Sequence, residues 1–484
     1  MSYWLGVDIG TTAVKVAAFS ESGELICQLS CTYEMFHPLP GQSEQDPDEI
    51  TDKTLQCLSD ITRRLLPARP AAIAFSAAMH SLIAVNEDGA PLTRCIIWAD
   101  NRAEPYARAL KDSETGKRFY RASGVPIHAM SPFCKLLWLK ENDAGLFHRA
   151  YKFIGIKEYI WFRLFGVYEA DTSAASATGL LNLYTLDWDD DILQYLGINA
   201  SRLSVVTSVK RKLTLSGSVH WLSAQEALKD TPFIIGGSDG ALANLSMSPA
   251  GRQPLVATIG TSSAARILVD SPSVDKDMRT FCYHAMNDQY IVGGAGNNGA
   301  VVLEWLNHNF FEADQDMSSF LKEAEKAEPG CGGLIFLPYL LGERAPLWNA
   351  RAKGVLFGLT IDHSRAHMIR AAMEAVIYSL YSFGKLILER HTVTDIHVTG
   401  GFAQNRLWVQ MLADVFERPV VVSDANEGSA WGAIVIAREA LGLPPVEKES
   451  QSTLYRPDPD ATEIYRRQFE QFERLMVLLK DEFI

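Results

Sequence analysis

Short hydrophobic runs of strand-like character open two distant parts of the 484-residue chain. Residues 3–7 and 14–19 are β-rich runs separated by DIGTTA, and the Gly10–Thr12 turn between them predicts a β-hairpin. The same arrangement returns at residues 255–257 and 265–269, which are separated by TIGTSSA. The chain therefore contains two similar predicted hairpins.

The two hairpins align with each other residue by residue. Asp8 falls on Thr258 and Gly10 on Gly260, an offset of 250 residues, or about half the chain. This period is far longer than the roughly 20–50 residues of a solenoid repeat. The repeat instead predicts two similar domains, each of which opens with a hairpin whose turn is Gly-Thr.

Alternating strand and helix patterns fill the rest of each half. Apolar runs predict buried strands near residues 71–78, 233–237, 290–294, 396–401 and 419–423. Helices are expected near residues 48–66, 102–111, 132–143, 158–165, 299–311, 363–390, 404–416 and 429–441, and in the last 22 residues. This alternation predicts an α/β fold. The Pro/Gly/Ser-rich segment 246–254 is typical of a linker, so we place the two domains at residues 1–247 and 248–484.

The composition excludes several classes of protein. Lys and Arg total 45 against 58 Asp and Glu, which gives a net charge of −13 and a pI near 5.4. This balance argues against a nucleic-acid binder, which needs a basic surface. The apolar share of 47% and the charged share of 21% are ordinary for a soluble enzyme and exclude a disordered or collagen-like chain.

The cysteines and the N-terminus favour a cytoplasmic protein. The seven cysteines are scattered and form no C-x-x-C pair, so neither a zinc site nor a disulfide framework is expected. The opening MSYWLGVDIG has no charged region followed by a long apolar one, so no signal peptide is predicted. We also expect no apolar run long enough to span a bilayer.

The Gly-Thr turns are candidate phosphate sites. Successive backbone N–H groups in such a turn form a nest that suits an anion, although a single D-x-G-T is more often a plain hairpin. Two such turns would grip a polyphosphate from both sides. Asp8, at the end of the first strand, is then a candidate ligand for Mg²⁺, which takes only one or two carboxylates.

The segment GGAGNNG, residues 293–299, contains G-x-G-x-x-G and raises a dinucleotide-binding alternative. That fingerprint requires a second strand after the helix, with an acidic residue about 20 positions on. Here the helix is followed by DMSSFLKEAEKA, which predicts another helix. The alternative of a nicotinamide-dependent oxidoreductase therefore has this motif as its only support.

Three further positions are candidates for chemistry. Asp239 follows a predicted buried strand and opens a predicted helix, where a carboxylate is either a helix N-cap or a general base. WADNR, residues 98–102, offers an aromatic face with hydrogen-bonding charges, as a polyol requires, but such a cluster also suits a solvated loop. His80, at a strand end, has a structural role as its alternative.

Two long segments resemble the signatures of the FGGY carbohydrate kinases. Residues 130–142, MSPFCKLLWLKEN, fit the first signature, and residues 354–374, GVLFGLTIDHSRAHMIRAAME, fit the second. With DIGTT, the resemblance covers essentially the whole chain. It implies a pair of actin-like (ribonuclease H-like) domains with an interdomain active-site cleft that binds ATP.

The resemblance also implies roles for individual residues. Asp239 would be the catalytic base, and Asp8 would be the carboxylate associated with Mg²⁺. The implied nucleotide-binding residues are Thr11, Gly260 and Thr261 near the phosphates, Gly400, Gly401 and Asn405 near the adenosine, and, in addition, Thr12 and Gly299. The implied sugar-site residues are Met79, His80, Trp98, Asp100 and Arg102.

Within the family, the chain most resembles the gluconokinase branch, through SAAMHSLIAV, WADNR and TGGFAQNRLWVQMLAD. Xylulokinases generally carry Gln where this chain has Ala78, so a ketopentose or another sugar is the alternative substrate. A sugar acid needs a cation for its carboxylate, and Arg102 and Lys157 are the candidates. For Lys157 the alternative is a solvated lysine at a helix start.

The resemblance implies ATP and a small sugar acid as partners, with Mg²⁺ as cofactor and with neither nucleic acid nor membrane. A homodimer is the assembly considered. A sugar-binding sensor that keeps the fold without catalysis is the remaining alternative, against which the retention of both Asp8 and Asp239 argues.

Overall fold

The computed structural model describes residues 2–215, 225–248, 253–311, 316–423, 428–446 and 452–483. The chain divides into two compact units, each assembled from segments that are distant in sequence. The first contains residues 1–249, 268–291 and 427–449, and the second contains residues 250–267, 292–426 and 450–484. Part of the predicted linker, residues 249–252, lies outside the described residues.

The strands, in chain order, are β1 (Tyr3–Ile9), β2 (Ala13–Phe19), β3 (Leu25–Thr32), β4 (Glu44–Gln45), β5 (Pro70–Ala77), β6 (Ile83–Val85), β7 (Cys95–Ile96), β8 (Lys152–Ile154), β9 (Glu169–Asp171), β10 (Leu181–Asn182), β11 (Asp187–Trp188), β12 (Val205–Thr207), β13 (Lys212–Leu213), β14 (Phe233–Ser238), β15 (Leu255–Ile259), β16 (Ser263–Val269), β17 (Phe281–Met286), β18 (Gln289–Gly296), β19 (Ile335–Leu337), β20 (Val355–Phe357), β21 (Ile396–Thr399), β22 (Val420–Ser423) and β23 (Ser452–Tyr455). Both predicted hairpins are confirmed, as β1–β2 and β15–β16.

The α-helices are α1 (Pro47–Arg64), α2 (Glu104–Lys111), α3 (Glu114–Ser123), α4 (Pro132–Asn142), α5 (Ala144–Arg149), α6 (Ile156–Phe165), α7 (Thr172–Ser176), α8 (Asp190–Leu196), α9 (Gln225–Leu228), α10 (Asp239–Met247), α11 (Val301–Phe310), α12 (Met317–Lys322), α13 (Arg365–Leu388), α14 (Arg406–Phe416), α15 (Gly428–Ala440) and α16 (Pro459–Leu478). Each helix predicted from the sequence is present, with ends that differ by a few residues.

A six-stranded sheet of order β13-β14-β5-β1-β2-β3 forms the centre of the first unit. β1 pairs with β2 in the antiparallel sense and with β5 in the parallel sense, and β5 pairs with β14 in the parallel sense. Because β14, β5 and β1 are parallel, their carboxyl ends meet at one edge of the sheet, where α/β proteins bind ligands. We call this edge, formed by the residues that follow β1, β5 and β14, the first edge.

The sheet of the second unit repeats this plan. Its strands follow the order β18-β16-β15-β21-β22-β23, in which β15 is antiparallel to β16 and parallel to β21, and β21 is parallel to β22. β15 and β21 therefore end together at what we call the second edge. The 250-residue repeat reflects two sheets of the same design.

Helix α15 packs closely on the first sheet through glycine. A Cβ atom on Gly6 of β1 would lie 2.5 Å from the carbonyl oxygen of Ala430, and one on Gly432 would lie 2.0 Å from that of Leu242. No side chain fits at these distances, so the backbone of α15 touches that of β1 at Gly6 and that of α10 at Gly432. This contact brings α15 and α10 onto the sheet that carries the first edge.

Two expectations about the chain need correction. Cys31 of β3 and Cys57 of α1 are joined by a disulfide, so the expectation of no disulfide is wrong for this pair. The pairing depends on α1 packing against β3, which cysteine spacing does not reveal. The expectation of no apolar run long enough to span a bilayer is also wrong. Among the described helices, α13 is long and apolar enough to cross a membrane, but 83% of its most apolar window is buried, as in a core helix.

Candidate active site

Most of the predicted catalytic residues lie at the first edge. Ile9 of β1 pairs with Ala77 of β5, which pairs with Ser238 of β14. The residues after these three positions are Gly10, Ala78 and Asp239, so the register places the Gly-Thr turn, the segment with Met79 and His80, and Asp239 side by side. Strand pairing thus joins segments that are far apart in sequence.

Asp8 lies on β1 just before the turn and is half-buried. The Ser76 hydroxyl of the neighbouring strand donates a hydrogen bond of 2.8 Å to Asp8 Oδ1. The phenol of Tyr33 donates to the carbonyl of Gly10, and burial, together with the charge of Asp8, raises the pKa of Tyr33.

No group of three or more His, Cys, Asp or Glu side chains forms a metal site in the described part of the chain. A single carboxylate fits Mg²⁺, which completes its shell with water and phosphate oxygens.

Asp239 is the first residue of α10 and is half-buried. Ser238, and not Asp239, occupies the N-cap position, so the alternative of an N-cap role for this carboxylate is wrong. Asp239 Oδ1 accepts a hydrogen bond of 2.7 Å from the N–H of Gly240. The carboxylate thus lies at the first edge, at the N-terminus of α10.

A pocket at the first edge brings together Thr11, Met79 and Trp98. The indole N–H of Trp98 donates to the Thr11 hydroxyl at 2.9 Å, which joins the candidate sugar site to the turn. Gln45 also lines the pocket, and its side-chain amide donates to the carbonyl of Thr11. Gln45 is not among the residues predicted from the sequence, because β4 is only two residues long and carries no motif. Thr12, the next turn residue, is exposed.

His80 is buried, and its backbone has a left-handed φ of 68°, which a non-glycine residue rarely adopts. Its Nδ1 lies 2.8 Å from the carbonyl oxygen of Ala177, which can only accept, so Nδ1 carries the proton. The His80 ring packs edge-on against Tyr283, with the ring centroids 5.9 Å apart. Strained backbone of this kind is concentrated at functional sites.

Arg102 is held by two carboxylates. Its side chain makes two hydrogen bonds to Asp100, of 2.9 and 2.8 Å, and one of 2.5 Å to Glu44. The buried Asp100 also accepts from the N–H of Ser43 at 2.7 Å. Burial lowers the pKa of Arg102, but the hydrogen bonds and charges of Asp100 and Glu44 outweigh this effect and raise it. The three groups carry a net charge of −1, so Arg102 is not a lone cation.

Lys157 is buried at the start of α6, so the alternative of a solvated lysine is wrong. Its Nζ lies 2.6 Å from Asp171 Oδ2 and donates to the carbonyl oxygen of Gly237 at 2.8 Å. Both candidates for binding a substrate carboxylate therefore have carboxylate partners within the protein.

At the second edge, glycines let backbone segments approach one another. The N–H groups of Gly299 and Ala300 donate to the carbonyls of Thr261 and Gly260, at 3.0 and 2.7 Å. A Cβ atom on Gly299 would lie 2.4 Å from the Gly260 carbonyl oxygen. The predicted residues Gly260, Thr261 and Gly299 therefore lie together, with Thr261 exposed.

The remaining nucleotide candidates follow β21. Gly400 has a φ of 100°, and a Cβ atom there would lie 2.4 Å from the Ile259 carbonyl oxygen, at the end of β15. Gly401 has open space around its Cα. Asn405 is the N-cap of α14, and its Oδ1 accepts from the N–H of Trp408 at 2.9 Å.

The turns differ in one respect from the predicted nests. The N–H of Gly10 donates to the carbonyl of Ala13 at 3.1 Å, and that of Gly260 donates to Ser262 at 2.9 Å. Both N–H groups close their own turns, so they are not the donors that a phosphate would meet.

The GGAGNNG segment serves to anchor a neighbouring loop. The N–H of Asn297 donates to Glu343 at 2.6 Å, and the Asn298 amide donates to the Gly342 carbonyl at 2.7 Å. Burial raises the pKa of Glu343, against the opposing effect of these hydrogen bonds. Among the described residues, the next element after α11 is the helix α12, as predicted, and not the strand that a dinucleotide fold requires.

Comparisons with known proteins agree along the whole chain. The N-terminal domain model of the FGGY family of carbohydrate kinases matches residues 3–246, and the C-terminal domain model matches residues 255–441. A gluconokinase from Bacillus subtilis (strain 168) is 40% identical, over 100% of this chain and 97% of its own.

Two solved structures from Lactobacillus acidophilus also match. A gluconate kinase aligns with a TM-score of 0.93 at 35% identity, over 100% of this chain and 99% of that chain. A ligand-bound xylulose kinase aligns with the same TM-score and identity, over 99% and 98% of the two chains.

Proposed function

Because the chain belongs to the FGGY family of carbohydrate kinases, we propose that it transfers the γ-phosphoryl group of ATP to the terminal hydroxyl of D-gluconate, giving 6-phospho-D-gluconate. The observation that carries this proposal is the 40% identity to a gluconokinase along the entire chain. Xylulose is the second candidate substrate, because a xylulose kinase structure matches as well as the gluconate kinase structure does. Ala78, in place of the xylulokinase glutamine, favours gluconate.

In the proposed reaction, Asp239 accepts the proton of the terminal hydroxyl as that oxygen attacks phosphorus. Its place at the first edge supports this role, since Ser238, the residue before it, pairs with Ala77, the residue before the segment that carries Met79 and His80. Asp8 would hold Mg²⁺, which, when bound, neutralises charge on the phosphate oxygens. Asp8 is suited to this role because its Oδ1 is oriented by Ser76.

Nucleotide-binding roles are proposed for residues of each edge. Thr11 and Thr12 of the first turn and Thr261 of the second edge would face the phosphates. Gly260 and Gly299, whose N–H groups donate to carbonyls of the protein, would let the backbone come close to them. Gly400, Gly401 and Asn405 would face the adenosine, where the open space around Gly401 supports close approach of a ligand. Such contacts are neutral, so they bind a polyphosphate without adding cations to an acidic protein.

The sugar would lie on Met79, His80 and Trp98, with Asp100 and Arg102 beside them. Trp98 offers an aromatic face, and its N–H fixes the Thr11 hydroxyl. Arg102 is the candidate for the substrate carboxylate, at the cost of sharing its charge with Asp100 and Glu44. Cytoplasmic location and a homodimer remain expectations of this proposal.

Product analysis tests the proposal. The purified protein is incubated with Mg-ATP and D-gluconate, and the product is identified by mass and by ³¹P–¹H correlation. We expect one phosphate per ADP released, attached at the terminal carbon of gluconate. Phosphate at another carbon, or ADP release that does not depend on gluconate, would contradict it; a reaction without sugar is the control.

A further inference from the structure

A continuous set of buried polar contacts leads from α6 to the residues that precede Asp239. It begins at Lys157, only 4% exposed, whose Nζ contacts both Asp171 Oδ2 at 2.6 Å and the Gly237 carbonyl oxygen at 2.8 Å. Gly237 lies two positions before Asp239. The ammonium group thus binds directly to the strand end that carries the candidate base.

Asp171 connects this ammonium to helix α7. It is fully buried and is the N-cap of α7, and its Oδ1 accepts from the N–H of Ala174 at 2.9 Å. One oxygen of the carboxylate therefore faces Lys157 and the other fixes the first turn of the helix. The position of α7 depends on the same carboxylate that neutralises the lysine.

Ser173 of α7 completes the set. Its Oγ accepts from the N–H of Ser238 at 3.1 Å and lies 2.9 Å from the Ser238 hydroxyl. A Cβ atom on Gly237 would lie 3.3 Å from the same Oγ, so the strand end passes close to the helix. Side chains therefore hold both residues before Asp239: Lys157 of α6 contacts Gly237, and Ser173 of α7 makes two contacts with Ser238. We call Lys157, Asp171 and Ser173 the clamp.

A buried ion pair is a costly way to hold a backbone. Removing two charges from water carries a desolvation penalty that their attraction often fails to recover, and apolar residues of similar size frequently serve stability as well. The hydrogen bond from an ammonium to a carbonyl, in contrast, fixes a strand end in one position and direction. The clamp is therefore better explained by placement of the adjoining residue than by stability alone.

We propose that Lys157 and Asp171 are positioning residues that hold Asp239 at the distance its proton transfer requires, and that Lys157 does not bind the substrate carboxylate. The inference rests on the proposed function, in which Asp239 is the base. A misplacement of about 1 Å can lower turnover by roughly 100-fold, because the base must meet the hydroxyl in one geometry. Loss of the clamp should therefore lower kcat and leave sugar binding nearly intact.

The test is a kinetic comparison of Lys157→Met, Lys157→Arg and Ser173→Ala, each first checked for folding by thermal melting. Lys152→Met is the matched control, since the Nζ of Lys152 donates instead to the carbonyls of Ser201 and Leu203. For Lys157→Met we expect kcat to fall at least about tenfold, with KM for the sugar within about threefold of wild type. Lys157→Arg should recover part of the loss because it keeps the charge, and Lys152→Met should retain wild-type kcat.

Ser173→Ala keeps the inference testable if Lys157→Met does not fold, since it removes one neutral hydroxyl and leaves the ion pair intact. A fall of a few-fold in its kcat, at unchanged KM, is expected. The inference is overturned if Lys157→Met raises KM for gluconate and leaves kcat and the KM for an uncharged sugar unchanged, as a carboxylate ligand would. Unchanged kcat in both variants also overturns it.

Failure of the proposed function is seen separately, in the wild-type protein, which would then show no gluconate-dependent ADP release. In that case the same kcat comparison is made with whichever sugar the wild type phosphorylates. The clamp acts on the base, so its effect on kcat is independent of which sugar is bound.

Discussion

The first and second edges have the same strand order and the same Gly-Thr turn, yet they differ at the residue two positions before the turn glycine. In the first, Asp8 accepts a hydrogen bond of 2.8 Å from Ser76 on the parallel neighbour strand. In the second, Thr258 lies 2.8 Å, hydroxyl to hydroxyl, from Thr399 on its parallel neighbour. The cross-strand bond is kept in both places, while the carboxylate is present only at the first.

This difference separates two tasks that the common fold makes possible. The first edge combines Asp8 and Asp239 with aromatic and polar side chains, which suits proton transfer and metal binding. The second edge is built from glycines and hydroxyls that bring backbone together, as at Gly299 and Gly400. A neutral surface of this kind suits an anionic nucleotide in a protein whose net charge is −13.

The largest effect is expected from substitution of Asp239, the proposed general base at the first edge. Asp239→Asn keeps the shape of the side chain but removes its proton acceptor, so kcat should fall by at least about 100-fold while ATP binding is retained. Steady-state kinetics and nucleotide binding by calorimetry measure the two effects. Asp191→Asn, at an exposed position on α8, is the control. Near-normal turnover of Asp239→Asn would remove Asp239 from the mechanism.

Changing Asp8 makes the first hairpin resemble the second. In Asp8→Asn, loss of the charge should lower kcat at least about tenfold and raise the Mg²⁺ concentration needed for half-maximal rate. Thr258→Ser keeps the hydroxyl of the second hairpin, and we expect it to behave as wild type. If both variants show the same Mg²⁺ dependence as wild type, the two hairpins do not differ in metal binding.

A smaller effect is expected from crowding the second edge. In Gly299→Ala the new methyl group would meet the Gly260 carbonyl oxygen, which should lower stability by about 1–3 kcal/mol. KM for ATP should rise several-fold, with KM for the sugar nearly unchanged. Gly145→Ala, in the exposed helix α5, controls for the substitution itself. A rise in KM for the sugar, with KM for ATP unchanged, would mean that the second edge binds the sugar and not ATP.

The smallest effect is expected from Lys135, which supports the first edge, and it concerns the pH dependence of stability. When protonated, Lys135 Nζ donates to the carbonyls of His80, Ile96 and Ile97, which joins the segment that carries Met79 to the one that carries Trp98. Burial lowers the pKa of Lys135 from 10.5 to about 7, against the opposing charge of Asp100. Between these two values the unfolded chain binds the proton and the folded protein does not, so this lysine makes stability increase with pH.

Urea unfolding of wild type and Lys135→Met at pH 6.5, 8 and 9.5 measures this contribution. From about pH 7 upward, the free energy of unfolding of wild type should increase relative to that of the variant by on the order of 1 kcal/mol for each pH unit. Differences that stay constant across the three pH values would mean that Lys135 titrates alike in the folded and unfolded chains.

The sequence predicted what depends on local pattern. The hairpins follow from short β-rich runs on either side of Gly-Thr, and the repeat from their 250-residue offset. Asp239 was found because a strand, a carboxylate and a helix occur in succession. These features need no knowledge of which distant segments meet.

Contacts between distant segments could not be predicted in this way. Lys157 and Asp171 are paired because α6 and α7 both reach β14, and nothing in the motif around either residue indicates it. Glu44 beside Arg102 and Gln45 beside Thr11 come from a strand of two residues. The interpretation of Lys157 as a solvated residue failed for the same reason.

The proposed substrate is tested most directly by kcat/KM from coupled ADP release with gluconate, xylulose, ribulose, glycerol and fuculose. We predict that gluconate gives the highest value, by at least about tenfold, since Arg102 bound to the substrate carboxylate, as proposed, would discriminate against neutral sugars. A higher kcat/KM for xylulose than for gluconate would contradict the proposed substrate.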